Sequence, residues 1–197
     1  ADVRDESGMT FPRLIVLSDP LRDDASQTLA FLRKEGVQTV MVTGDTKETA
    51  AHVAGVLGMR GQTRTPFQGD IAQLPDSALA STSVFAEVLP DDKLSLVSRA
   101  QKQFIVAMAG DGVNDLPAVR AADVGMAVES AVDALKGTAD IVFLAPGISV
   151  MSVALIEARK IFFRLYNYSV YRISESFRLI MTALLLGLII KSFPLTP

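Results

Sequence analysis

Between residues 13 and 145 short apolar, β-branched runs alternate with stretches of helical periodicity, and this alternation constrains the fold more than any other feature of the chain. Residues 14–17 read as a strand, 24–34 as a helix ending at Gly36, 37–42 as the next strand, and 47–57 as a helix closed by Gly58. The rhythm continues with a strand at 84–86, a helix over 91–102, an apolar strand at 104–109 and a short helix at 114–121. Strands at 124–128 and 141–144 follow, before Pro146 and Gly147. Strand, helix, strand is the repeat of a parallel sheet flanked by helices, so the spacing predicts an α/β domain over 13–147. Residues 61–83 are the least regular and read as surface loop and short helix.

Such a sheet needs a core, and the 197 residues supply one: 49% are apolar and the mean hydropathy is +0.33, which excludes a disordered chain. With 19 Lys and Arg against 22 Asp and Glu the net charge is −3, so the basic footprint of a nucleic-acid binder is missing and no nucleic-acid partner is expected. Cysteine is absent, which removes disulfides, Cys-based zinc sites and thiol nucleophiles and fits a cytosolic domain. Residues 1–12 have neither the basic region nor the apolar core of a secretory signal and read as a loop continuing from a longer polypeptide.

The C-terminal part differs in kind. Residues 148–190 contain no Pro and only Gly187, so they can run as one long helix. Residues 149–171 carry Glu157, Arg159, Lys160 and Arg164 among apolar neighbours, whereas the twelve residues 179–190 are uncharged and mostly Leu and Ile. A bilayer needs about 20 residues, so a span here must also take in Arg178, Glu175 and Arg172. Charges at that depth are paired or functional. Periodicity alone leaves a buried helix of a soluble protein as the other reading.

In an open parallel sheet ligands lie beyond the carboxyl ends of the strands. Thr43-Gly44-Asp45 follows one strand and Gly110-Asp111-Gly112-Val113-Asn114-Asp115 another. Asp111 and Asp115 are hard oxygen donors of the kind Mg²⁺ takes, one or two carboxylates together with a substrate phosphate. The same Asp and Asn residues are equally the ordinary chemistry of a helix cap and a turn. Thr43 offers a hydroxyl beside a helix N-terminus, where anionic oxygens bind. Lys93, early in the helix after 84–88, has the charge to neutralise a transferring phosphoryl group, although a lone Lys is ordinarily a solvated one. In company, Thr43, Lys93 and the Gly-Asp-Gly loop supply what a magnesium-dependent phosphoaspartate enzyme needs: orientation, neutralisation and coordination. His52 and the Met residues read as surface or packing groups. Pro90-Asp91-Asp92 reads as a helix start.

These strings resemble the P-type ATPases, ion pumps whose phosphorylation domain has the haloacid-dehalogenase fold. Asp19-Pro20-Leu21-Arg22 is similar to the family's D-P-x-R, Thr43-Gly44-Asp45 to its T-G-D, Lys93 to the lysine of its K-x-x-x-V helix, and residues 110–115 to its G-D-G-V-N-D, all in family order. The resemblance implies a three-layer, Rossmann-like parallel sheet over 13–147, a stalk helix at 148–171 and a transmembrane helix at 172–193. It implies that Asp19 and Arg22 serve nucleotide binding, that Thr43, Gly44 and Lys93 contact the phosphoryl group, and that Asp111 and Asp115 hold Mg²⁺ with Asn114 in support. Residues 139–147, Tyr168, Tyr171, Arg172, Ile173 and Arg178 look most like the plasma-membrane proton-pump branch, and Arg178 and Glu175 become candidate transport groups. The function implied is ATP hydrolysis through an aspartyl-phosphate coupled to cation export, with protons favoured over calcium or another cation. The implied setting is the plasma membrane, with residues 1–165 cytoplasmic and the remaining pump domains as partners. One departure is severe: the family's D-K-T-G-T, which bears the phosphorylated aspartate, does not occur in these 197 residues. Asp45 lacks its flanking Lys and Thr, so the chain alone is expected to be inactive. A non-catalytic, membrane-anchored domain without a nucleophile is the competing reading.

Overall fold

The computed structural model describes residues 20–65 and 71–190. The strand expected at 14–17 and the nucleotide contact expected of Asp19 lie outside the described residues.

Helix α1 spans Ala25–Lys34, with Asp24 at its N-cap and Arg33 and Lys34 in its last turn, where cations meet the negative end of the helix dipole. It stops because Gly36 takes a left-handed φ of +82°. Strand β1 is only Met41–Val42. Helix α2, Lys47–Val56, starts behind Thr46, whose side chain accepts from the Thr49 amide, and ends at Gly58 with φ +67°. The segment read as irregular holds strand β2, Gln62–Arg64, and helix α3, Asp76–Ser81. Strand β3, Thr82–Phe85, leads into α4, Pro90–Ala100, which opens with Pro in its first turn and Asp91 and Asp92 behind it. Strand β4, Ala107–Gly110, is followed by a single 3₁₀ turn at Val113–Asp115 and by α5, Leu116–Ala121. Strand β5, Val124–Ala127, the short α6, Asp133–Lys136, strand β6, Ile141–Val142, and the helix α7, Ser149–Ile190, complete the order.

Every strand pair is parallel, as the alternation predicts, but the strands form two sheets rather than one: β1-β3-β2 and β4-β5-β6. Neither β1 nor β4 has a second neighbour among the described residues. The halves meet through helices, with α4 packed against α5. In the first half β3 feeds two cores. Val84 and Ala86 pack with Ala50 and Ala54 of α2, while Phe85 and Val88 pack with Ile71, Leu79 and Leu96 on the other side. In the second half Val119, Ala127, Ala131 and Leu135 form the core between sheet and helices.

Helix α7 is 42 residues long, about 63 Å at 1.5 Å per residue. It is bound to α1 at two places. The Ser149 amide donates to Asp24 Oδ2 at 3.3 Å, so one carboxylate stands at the start of both helices. Farther along, Arg159 pairs with the Glu35 carboxylate and donates through Nη2 to the Glu35 carbonyl at 2.6 Å, satisfying an orphan carbonyl at the end of α1. Gly147 makes the first joint possible: its φ is +95°, and a Cβ there would lie 2.7 Å from Asp24 Oδ2. Beyond these contacts α7 exposes Phe162, Tyr166, Phe177 and Leu188, among other apolar groups. Among the described residues no helix is long and apolar enough to cross a membrane. The segment expected to do so, 172–193, carries Arg172, Glu175 and Arg178 in its first third and ends outside the described residues.

Hydrogen bonding from Ser149 holds the Asp24 carboxyl below its ordinary value of 3.8. A depressed carboxylate contributes stability that is present above its unfolded-state pKa and is lost as pH falls through the folded one. Asp24→Asn is therefore expected to lower the melting temperature at neutral pH and to lose that difference below about pH 4, which melting curves of both proteins across pH 2–7 will check.

Candidate functional site

The carboxyl ends of β1, β3 and β4 carry the polar loops. Thr43 directly follows β1. Its amide donates to the Phe85 carbonyl at 2.9 Å and its own carbonyl accepts from the Val88 amide at 3.0 Å, so β3 fixes its backbone. Its hydroxyl donates to Asp45 Oδ2 at 2.8 Å and accepts from the Asp45 amide at 3.1 Å. Gly44 and Asp45 are exposed. Gly44 needs no glycine for its own chain, because an added Cβ would meet only the Val88 carbonyl at 3.7 Å.

The anion site expected at the N-terminus of α2 is already filled from within. Glu87 Oε1 accepts from the Lys47 amide at 3.2 Å and Thr46 Oγ1 accepts from the Thr49 amide at 3.4 Å. At this loop the Gly44 amide has no partner among the described residues, whereas the Thr43 hydroxyl proton and the Asp45 amide are spent on each other's residue, so Thr43 must turn from Asp45 to meet an anion.

Lys93 is not a solvated lysine. Its Nζ lies 2.5 Å from Asp115 Oδ1, with side-chain exposures of 16% and 10%, and this ion pair crosses from the first half of the molecule to the second. An ammonium has three donors, so two remain for an incoming anion. Asp115 Oδ2 faces the Asp111 amide at a long 3.4 Å. The seat of Asp115 is Gly110, where a Cβ would lie 2.5 Å from Asp115 Cβ and 2.9 Å from Oδ2. As a sequence, Gly110 and Gly112 bracketing a carboxylate read as residues that allow tight backbone turns. The actual task of Gly110 is to let a buried carboxylate pack against the strand end, and only the Gly-x-x-x-x-Asp spacing hints at it.

Asp111 and Asn114 are exposed, and their side chains make no hydrogen bond among the described residues. A free carboxylate, a free amide and a second carboxylate already balanced by lysine suit Mg²⁺, which uses few protein ligands and keeps waters and substrate oxygens. No cluster of three or more Asp, Glu or His exists among the described residues, so this is no self-contained metal cage. The structure thus links Thr43, Lys93, Asp115 and Asp111 in one series through Val88 and α4. Arg22 is exposed and its side chain makes no hydrogen bond or ion pair among the described residues, so the structure does not join it to that series. Glu175 and Arg178 lie far along α7 and pair with each other at 2.5 Å, three residues apart. His52 is exposed on α2.

Residues 3–123 match the haloacid dehalogenase-like hydrolases. The chain belongs to this family. A protein of Methanocaldococcus jannaschii named as a cation-transporting ATPase is 40% identical over 195 residues, covering 94% of this chain and 24% of the relative. Plasma membrane ATPase 1 of Saccharomyces cerevisiae is 43% identical over 169 residues, covering 82% of this chain and 18% of the relative. Among solved structures the catalytic domain of the CPx-ATPase CopB-B is similar, with a TM-score of 0.53 and 25% identity over 68% of this chain and 45% of that one. The resemblance to P-type ATPases carried by the four motifs is borne out by these relatives. The chain spans about a quarter or less of the length of the curated relatives it matches.

Removing one member of a mostly buried ion pair strands the other charge and costs about 3 kcal/mol. Lys93→Met and Asp115→Asn are each expected to destabilise the protein by that order, with the double variant recovering much of it, and urea titrations of the three variants will read the pattern. Gly110→Ala should destabilise by about 1–3 kcal/mol through overpacking against Asp115, while Gly44→Ala should fall within about 0.5 kcal/mol of the parent.

Proposed function

We propose that this chain is the C-terminal part of the phosphorylation domain of a cation-transporting P-type ATPase, followed by its stalk helix and a transmembrane helix. The observation that carries the reading is the Lys93–Asp115 pair, seated on Gly110 and tied through Val88 to the Thr43 loop. It gathers at one edge the hydroxyl, ammonium and carboxylates that phosphoryl transfer requires.

In the parent protein an upstream aspartate attacks the γ-phosphorus of ATP, ADP leaves, and water later hydrolyses the acyl phosphate to restore the carboxylate. The Thr43 hydroxyl and the Gly44 amide orient the phosphoryl oxygens. The two free donors of Lys93 offset the negative charge on those oxygens, and Asp115 keeps the ammonium aimed. Asp111 and Asp115 would hold Mg²⁺ with Asn114 in support, and the ion when bound supplies further charge neutralisation. Asp19 and Arg22 serve the nucleotide. The strand bearing the nucleophile would sit between the open edges of β1 and β4 and join the half-sheets.

Helix α1 starts just after Arg22 and is fastened to α7 at both ends, so movement at the nucleotide passes to the stalk at 148–171 through Asp24 and Glu35. A span over 172–193 is supported by the exposed apolar surface of α7 and by the Glu175–Arg178 pair, because opposite charges that neutralise each other are the tolerated form of charge in a bilayer. The setting that goes with this reading is the plasma membrane, with residues 1–165 on the cytoplasmic side. Protons are the favoured cargo, on the likeness of residues 139–147, Tyr168, Tyr171 and Arg172 to the proton-pump branch. Calcium or another cation is the alternative, since selectivity rests on helices outside this chain.

In the intact parent, Asp111→Asn is expected to lower magnesium-dependent ATP turnover by at least about a hundredfold, a loss of about 2.7 kcal/mol or more in barrier terms. A variant with unchanged turnover and unchanged Mg²⁺ dependence would refute the assignment. The 197-residue chain alone should hydrolyse no ATP, which a phosphate-release assay will check.

A further inference from the structure

Glu87 carries a left-handed backbone, φ +57°, the one such non-glycine among the described residues. That conformation is costly for a residue with a Cβ and persists only where the surroundings impose it. Three features of the structure impose it here. First, it breaks the alternation of β3: Phe85 and Val88 fall into the same core, which two-residue alternation forbids, and the Glu87 side chain is exposed rather than buried beside Phe85. Second, the Glu87 amide donates to the Asp45 carbonyl at 2.9 Å while the next amide, of Val88, donates to the Thr43 carbonyl at 3.0 Å. Third, the Glu87 carboxylate returns to the Lys47 amide at 3.2 Å, beyond the same loop. Glu87 therefore holds residues 45 and 47 through its amide and its carboxylate, and its turn presents the neighbouring Val88 amide to residue 43. Two residues later Leu89 opens the cap of α4, donating its amide to Asp92 Oδ2 at 3.2 Å, and α4 carries Lys93.

We infer that Glu87 is a positioning residue of the phosphoryl site: its left-handed backbone and its carboxylate together set the Thr43-Gly44-Asp45 loop against Lys93 and keep the α2 N-terminus closed to stray anions. It touches no reacting atom. Its action runs through Thr43 and Gly44, which meet the phosphoryl oxygens, so the inference rests on the function proposed above. Two properties of the residue separate. The backbone conformation asks for glycine, whereas the cap on Lys47 asks for a side-chain oxygen. A glycine would relieve the first and lose the second. Glu satisfies the second at the expense of the first, which a purely structural turn has no reason to do.

The test uses the full-length parent with Glu87→Gly, Glu87→Gln and Glu87→Ala. Expected is a roughly tenfold fall in kcat for Glu87→Gly, corresponding to one lost charge-assisted hydrogen bond at 1.36 kcal/mol per tenfold, with KM for ATP unchanged and thermal stability equal or higher. Glu87→Gln keeps the oxygen and should recover most of kcat, and Glu87→Ala should lose both activity and stability. Hydrogen exchange of the peptide containing residues 43–49 should quicken in Glu87→Gly and Glu87→Ala, whether or not turnover is measured. Wild-type kcat in Glu87→Gly, or unchanged exchange at 43–49, overturns the inference while leaving the function standing. A wild-type parent without magnesium-dependent ATPase activity overturns both, and is recognised because it fails before any variant is made.

Discussion

The arrangement depends on one charge pair placed where two half-sheets meet. Asp115 is buried at the end of β4 and would be an expensive anion there without Lys93, which arrives from α4 of the other half. Because α4 stands on the Phe85–Val88–Leu96 core and Asp115 stands on Gly110, both ends of the pair are held by packing. Such a pair contributes little net stability compared with an apolar substitute. Its contribution is register: it fixes how the Thr43 side and the Asp111 side face each other, and it holds the Lys93 ammonium in a mostly buried position with donors to spare.

Much of this was legible in the sequence, and the reasons are local. α1, α2 and α4 announce themselves through Asp24, Thr46 and Pro90 at their starts and through Gly36 and Gly58 past two of their ends, signals that act within one turn. The order of the polar loops followed from the parallel alternation. What stayed hidden depends on contacts distant in sequence. β2 reads Gln-Thr-Arg, with no apolar run, and becomes a strand only because β3 offers it a parallel edge. The apolar run at 37–42 yields only two strand residues because strand character needs a partner as well as a pattern. Division into two sheets is likewise invisible to periodicity, which counts strands without saying which ones touch.

The same limit applies to the site. Thr43, Lys93, Asp111 and Asp115 could be nominated from their strings, but not the fact that Lys93 answers to Asp115, nor that Glu87 occupies the helix terminus expected to be free for an anion. Residue type states what a group is able to do. Which of its donors and acceptors are already committed is a tertiary fact, and for Thr43, Lys93 and Asp115 it decides how much of that ability is left for a ligand.

The joint between α1 and α7 extends this reasoning from binding to movement. A 42-residue helix that is mostly exposed has few contacts with its domain, so those few carry whatever force passes along it. Asp24 and Glu35 stand at opposite ends of α1, and each bonds α7 through a charged group. Two fastenings resist rotation as well as sliding, which a single one would not. A shift of α1 therefore turns α7 as a lever rather than slipping past it, and Asp24 and Glu35 are the two points at which that lever is held.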